Sequence, residues 1–211
     1  MPPSRTAGKR HISVTGAAAA FLVLAAVGLI ILPNLFRAAG SKAGSSKPVH
    51  SEISTIDPAA LMPKLTDLPQ GASIQSNTYV TTAQAAKRNN TSLALLKQTG
   101  REIGYDRDFL VPQNGDIDVE VVRFKSHAGM GRAYRYFLGL PNGQGLRETV
   151  FRGLGERAAL VIGAQAGFVE FMRGRYYAVV TTVPLTRTTL NTIGAIARQL
   201  DSRISHYQSG A

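Results

Sequence analysis

The sequence predicts an α+β domain, with helices packed on one face of a largely antiparallel sheet, preceded by one transmembrane helix. Three observations carry this. Residues 12–32 form an uncharged apolar run; Pro112-Gln113-Asn114-Gly115 and Arg173-Gly174-Arg175 each separate two β-rich runs; and Leu190, Ile193, Ile196, Leu200, Ile204 and Tyr207 recur at intervals of three and four. The last pattern is an amphipathic helix over about 186–207, whose apolar face must pack on a sheet.

The run from Ile12 through Phe21 to Leu32 holds no ionisable side chain. At 1.5 Å per residue, a helix of this length matches the roughly 30 Å hydrocarbon core of a bilayer, and a helix satisfies its own backbone polar groups. It exceeds the about 7–15 apolar residues of a cleavable signal peptide, so a signal anchor is the expectation. The chain then divides into a basic flank at 1–11, the span at 12–32, a flexible basic stalk at 33–54, a globular domain at 55–207 and a tail at 208–211. Three basic residues flank the run on each side, so the charge rule ties. A long following domain is commonly exported whatever its charge, which favours an extracytoplasmic C-terminal domain on a single-pass cell-membrane protein.

The net charge of +11 divides unevenly, because residues 1–49 hold six basic groups and no acidic one. The remaining 18 Lys and Arg face 13 Asp and Glu without clustering, which argues against a nucleic-acid partner. Arg5, Lys9, Arg10, Arg37 and Lys42 are placed to meet anionic headgroups of the lipid bilayer. The chain has no cysteine, which removes thiol nucleophiles, thiolate metal sites and lipoprotein anchoring.

Within the domain, Asp57-Pro58 opens a short helix, with the carboxylate as cap and the proline in the first turn. A strand is expected at 72–80, then a helix from Thr81-Thr82 to Gly100 that breaks at Asn89-Asn90-Thr91-Ser92. Strands at 101–111 and 116–125 form a hairpin. In the second of these, the apolar alternation slips between Val121 and Val122, which predicts a bulge or burial of both faces there. A helix at 127–138, strands at 158–162, 167–172 and 176–183, and the final helix complete the order of two weakly similar halves.

No catalytic constellation stands out. Gly153-Leu154-Gly155-Glu156-Arg157-Ala158 fits a dinucleotide fingerprint, but Ala158 to Ile162 reads as a strand where the fingerprint needs a helix. Gly129-Met130-Gly131 is weaker. Ser126 precedes His127 at a helix start, where capping is the simpler role. Asp116, Asp118 and Glu120 project from one strand face; they have the chemistry to hold a hard cation, yet one strand supplies no wrapping loop, so a solvated face without metal is expected. Arg101, Tyr105 and Arg107, with Arg173, Arg175, Tyr176 and Tyr177, combine guanidinium forks and rigid aromatics suited to a ligand or partner surface.

Leu68-Pro69-Gln70-Gly71, Gly100-Arg101-Glu102-Ile103-Gly104-Tyr105, Leu154-Gly155-Glu156-Arg157-Ala158 and Phe171-Met172-Arg173-Gly174-Arg175 occur in that order. The chain thereby resembles uncharacterised bacterial membrane-anchored extracytoplasmic domains with LPxG, GRxxGY, LGxxA and FxRG elements. The resemblance implies a surface or sensor role and supplies no catalytic residue. The expected function is non-catalytic ligand sensing or interaction with an envelope protein, without a cofactor. The alternative is an envelope hydrolase or transferase using carboxylates such as Asp116 and Glu120, which predicts a concave pocket in which at least one of them is buried beside another titratable group. Nucleic-acid binding ranks below both.

Overall fold

A computed structural model describes residues 56–112, 114–138 and 147–208. The predicted membrane span and stalk lie outside them; among the described residues, no helix is long and apolar enough to cross a membrane. The elements are α1 (Pro58–Leu61), β1 (Ser73–Thr81), α2 (Thr82–Arg88), α3 (Leu93–Gln98), β2 (Arg101–Val111), β3 (Gly115–Phe124), α4 (His127–Leu138), β4 (Arg147–Val150), β5 (Arg157–Ile162), β6 (Gly167–Arg173), β7 (Tyr176–Val183) and α5 (Arg187–Gln208). One seven-stranded sheet runs β1-β2-β3-β7-β6-β5-β4, antiparallel at every pairing. Two meanders, one of three strands and one of four, meet where β3 pairs with β7.

The α+β class and the antiparallel sheet stand as expected, but the helices do not share one face. On β7, Tyr176, Ala178 and Val180 join the core beneath α5, together with Ile193, Ile196 and Leu200. Tyr177 and Val179, which alternate with them, pack with Met130, Ala133 and Tyr134 of α4. Neighbouring strand residues point to opposite sides, so α5 and α4 cover opposite faces. The same geometry explains the slip in β3: Val121 packs under α5 and Val122 under α4, without a register shift at either. The bulge falls instead in β2, between Arg101 and Ile103.

Local signals account for most boundaries. Asp57 caps α1, accepting from the Ala59 N–H at 2.9 Å. Thr81 and Gln84 form a reciprocal capping box on α2, and Ser92 caps α3 across the expected break. Ser126 accepts from the Gly129 N–H at 3.1 Å, the capping role expected of it. The α2–α3 pair packs Ala85, Ala86 and Leu96 against Val80 at the β1 end of the sheet. Val80 is registered with Gly104, and Gly104 with Val122, which puts this helical pair on the α4 face. Between these two helical groups, the α4 face of β2 and β3 bears polar side chains.

Candidate functional site

The seven residues expected to form one recognition surface are separated. Tyr105 is buried on the α5 face and donates to the Asn77 side chain at 3.0 Å, with the Arg107 guanidinium over its ring. Arg107 is spent on the Pro63 carbonyl at 3.1 Å. Arg101 is buried and donates to the Val80 carbonyl at 2.9 Å, while its other nitrogen meets Glu120 at 3.4 Å. Tyr176 is buried and fixes the backbone of Ile56, accepting from its N–H and donating to its carbonyl. Tyr177 is buried on the α4 face and donates to Glu170; burial, and then the neighbouring Glu170 charge, push its phenol well above the usual tyrosine range. Arg175 donates to the Lys125 carbonyl at 3.4 Å.

Arg173 belongs to a junction that joins two of the short sequence elements. It holds Asp201 of α5 through both Nε and Nη2, and Asp201 also accepts from the Gly155 N–H at 3.0 Å. Glu156 accepts from the Gly174 N–H at 2.7 Å and contacts His127 at 2.6 Å. Gly155 has φ +55°, and a Cβ there would lie 2.5 Å from the Met172 carbonyl oxygen. The LGERA and FMRGR elements therefore close the β5–β6 end of the sheet onto α5. The glycine run leads into β5, as read from the sequence. An open depression of about 450 Å³ lies beside this junction, lined by Arg173, Arg198, Asp201 and His206 among others.

The chemistry gathers elsewhere, on the α4 face of the β2–β3 hairpin. The register sets Asp106 opposite Glu120 and Asp108 opposite Asp118. Both pairs share their face with Val122, because the register is unbroken from Gly104–Val122 through Asp106–Glu120 to Asp108–Asp118 and all are even-numbered. Each of Asp106, Asp108 and Asp118 presents one carboxylate oxygen within 4.8 Å of the others. Like charges placed directly across a ladder destabilise a sheet. Two successive such pairs, half-buried, are therefore a cost that the fold does not require. Arg88 of α2 offsets part of it, reaching Asp106 at 2.7 Å, and Ser76 of β1 donates to Asp108.

Burial pushes the Asp118 carboxyl well above the ordinary carboxylate range, reinforced by its hydrogen-bond contact with Asp106 and the charges of Asp106, Asp108 and Glu120. Glu120 is also raised, first by burial and then by the Asp106 charge, against the opposing pull of Arg101 and Arg88. Asp118 and Glu120 are thus half-buried among other ionisable groups, where the sequence reading expected a solvated face; only Asp116 is exposed. A proton shared between two carboxyls, or a hard cation among three, are the two ways such a group lowers its own repulsion.

Asp106, Asp108 and Arg88 are the members that sequence reasoning missed. A signal existed: Val111 pairs with Gly115 across the turn, and counting back from that closure sets 108 opposite 118 and 106 opposite 120.

The architecture is thus a seven-stranded antiparallel sheet covered by helices on both sides, with an acidic strip between them. The fold matches that of the extracellular domain of PknH from Mycobacterium tuberculosis, with a TM-score of 0.53 and 11% identity over 73% of this chain and 99% of that one. A GTP binding regulator from Thermotoga maritima aligns with a TM-score of 0.39 and 11% identity, over 64% of this chain and 82% of that one. No family model matches the chain, and no curated protein matches it in sequence.

Proposed function

We propose that this chain is a single-pass, membrane-anchored protein whose C-terminal domain stands outside the cytoplasm and recognises a ligand or envelope partner without catalysing a reaction. The observation that carries the recognition role is the acidic strip: two facing like-charge pairs, Asp106 with Glu120 and Asp108 with Asp118, kept half-buried on a sheet face. Charge arranged at a cost to the fold is the mark of a site that meets something of opposite charge. The apolar run at 12–32 with its basic flanks supports the anchor, and the likeness to a domain described as extracellular supports the display.

Because the chain has no cysteine, one introduced at an exposed position of β1, as in Gln75→Cys, is the sole thiol. Labelling of that thiol by a membrane-impermeant maleimide in intact cells is the expected result. Labelling only after lysis would sink the topology.

A further inference from the structure

We infer that the end of the sheet where the membrane tether joins the domain is a docking surface for anionic phospholipid headgroups of that same membrane. The inference rests on the membrane-anchored reading and adds how the displayed domain sits on the bilayer. The chain enters the domain through Ile56. The Tyr176 hydroxyl accepts from the Ile56 N–H at 3.0 Å and donates to its carbonyl at 2.9 Å, and Arg123 reaches the same carbonyl at 3.3 Å. Arg123 and Tyr176 are register partners, near the end of β3 and at the start of β7. The segment that carries the apolar run at 12–32 therefore joins the domain at this end. Residues 33–54, expected from the sequence as a stalk, bring it within about 25 Å of the bilayer.

Four basic residues that are scattered in the sequence meet at the same end. Lys125 follows β3; its N–H donates to the Gly100 carbonyl at 2.9 Å, and its side chain lies 3.4 Å from where a Cβ of Gly100 would stand. Lys97 is in the last turn of α3, with its carbonyl accepting from the Gly100 N–H at 2.9 Å. Arg132 of α4 donates to the Gln98 carbonyl at 3.4 Å, and Arg175 of the β6–β7 turn donates to the Lys125 carbonyl at 3.4 Å. Lys97, Lys125 and Arg132 are exposed. Among the described residues, none of the four has a carboxylate partner. Glu102 and Glu156, at the same end, are engaged by Arg123 and His127.

Arg175 adds a sign of its own. Its Nε and Nη2 are closed off from solvent and find no acceptor in the domain. Turning outward onto a phosphate gains it charge-assisted hydrogen bonds and breaks only one long contact. A bilayer is the anionic surface that the tether holds against this end at all times, so contacts too weak to retain a free protein suffice. Each basic group near an anionic leaflet favours the docked state by about fivefold. The acidic strip lies about 20 Å along β2 from Gly100, so docking leaves it uncovered.

The test uses the full chain with a single thiol, Gln98→Cys at the docking end or Gln165→Cys in the β5–β6 turn at the opposite end, where the Gln165 carbonyl accepts from the Leu185 N–H. Each is labelled with a fluorophore and reconstituted into vesicles whose headgroups carry a nitroxide quencher. Vesicles of phosphatidylcholine alone are compared with vesicles made half of phosphatidylglycerol. Strong quenching at position 98 in the anionic vesicles is expected, relieved by molar salt, with weak quenching at position 165 in both. Lys97→Gln/Lys125→Gln should lower the ratio of docked to undocked protein by about fivefold per charge removed. Arg132→Gln serves as a second variant should that pair misfold. Equal quenching at the two ends, no difference between the lipids, or unchanged docking in a folded variant overturns the surface. Flotation of the chain with phosphatidylcholine vesicles reports the anchor by itself, so failure of the docking and failure of the anchored reading are told apart.

Discussion

Gly104 lies beneath the Arg101 guanidinium: a Cβ at Gly104 would stand 2.5 Å from Nη2 of Arg101 and 3.1 Å from Oε1 of Glu120. The absent side chain is the channel through which Arg101, displaced by the bulge in β2, crosses to Glu120. Arg101 is also held by the Val80 carbonyl, so it has little room to retreat. Gly104→Ala should destabilise the domain by about 1–3 kcal/mol, the usual cost of overpacking. Urea unfolding checks this. In Arg101→Ala/Gly104→Ala the two costs should sum to more than the measured total, because the clash is gone once the guanidinium is removed.

Asp201 connects α5 to the sheet through Arg173 and the Gly155 N–H. Its side chain is only 12% exposed. Asp201→Asn keeps the shape, removes the charge, and turns an amide N–H₂ toward one of the donors. A loss of about 2–3 kcal/mol is expected, since hydrogen bonds to charged groups contribute about 1.5–3 kcal/mol. Chemical denaturation of the variant measures it, and a change within about 0.5 kcal/mol, the ordinary range of surface substitutions, would show that the junction is not a structural tie.

The elements that were legible in the sequence are those whose signal is local. The spacing from Leu190 to Ile204 set α5 within a residue or two, Asp57-Pro58 marked a helix start that its cap confirms, and Asn89 to Ser92 marked the break between α2 and α3. The side on which each helix packs was not legible, because Val121 on one parity and Val122 and Phe124 on the other leave both faces of β3 apolar at that end. β4 was missed: Arg147-Glu148-Thr149-Val150 carries no alternation, and this edge strand is held by pairing with β5. The acidic strip needed cross-strand register, which a reading of β3 alone does not contain. Arg101 and Tyr177 illustrate the converse, since residues with the chemistry of recognition are consumed here by the Val80 carbonyl and by Glu170.

A pH dependence arises from Asp67, in the short helical turn after α1. Burial alone would raise its pKa, but the hydrogen bonds from Arg203 and the Lys64 N–H, with the Arg203 charge, leave it lowered. A lowered folded-state pKa contributes stability that is fully present above the unfolded value, near pH 4, and is lost as the pH falls through the folded value. The parent should therefore lose stability as the pH falls below about 4 by a margin that Asp67→Asn does not show. Urea midpoints of both proteins at pH 6 and pH 3 decide it: the gap between parent and variant should narrow at the lower pH, and a constant gap would reject the assignment.

The pair Asp108–Asp118 sets a cross-strand repulsion against a hydrogen bond. Two carboxylates face each other across β2 and β3, and replacing one by its neutral isostere should relieve the repulsion. Asp108→Asn is expected to be more stable than the parent by about 0.2–1 kcal/mol, the range for cross-strand pairs. Thermal melts of both proteins measure it. If the variant is the less stable one, Asp108 contributes to folding through its hydrogen bond from Ser76 more than it costs through Asp118, and the repulsion is the smaller of the two effects.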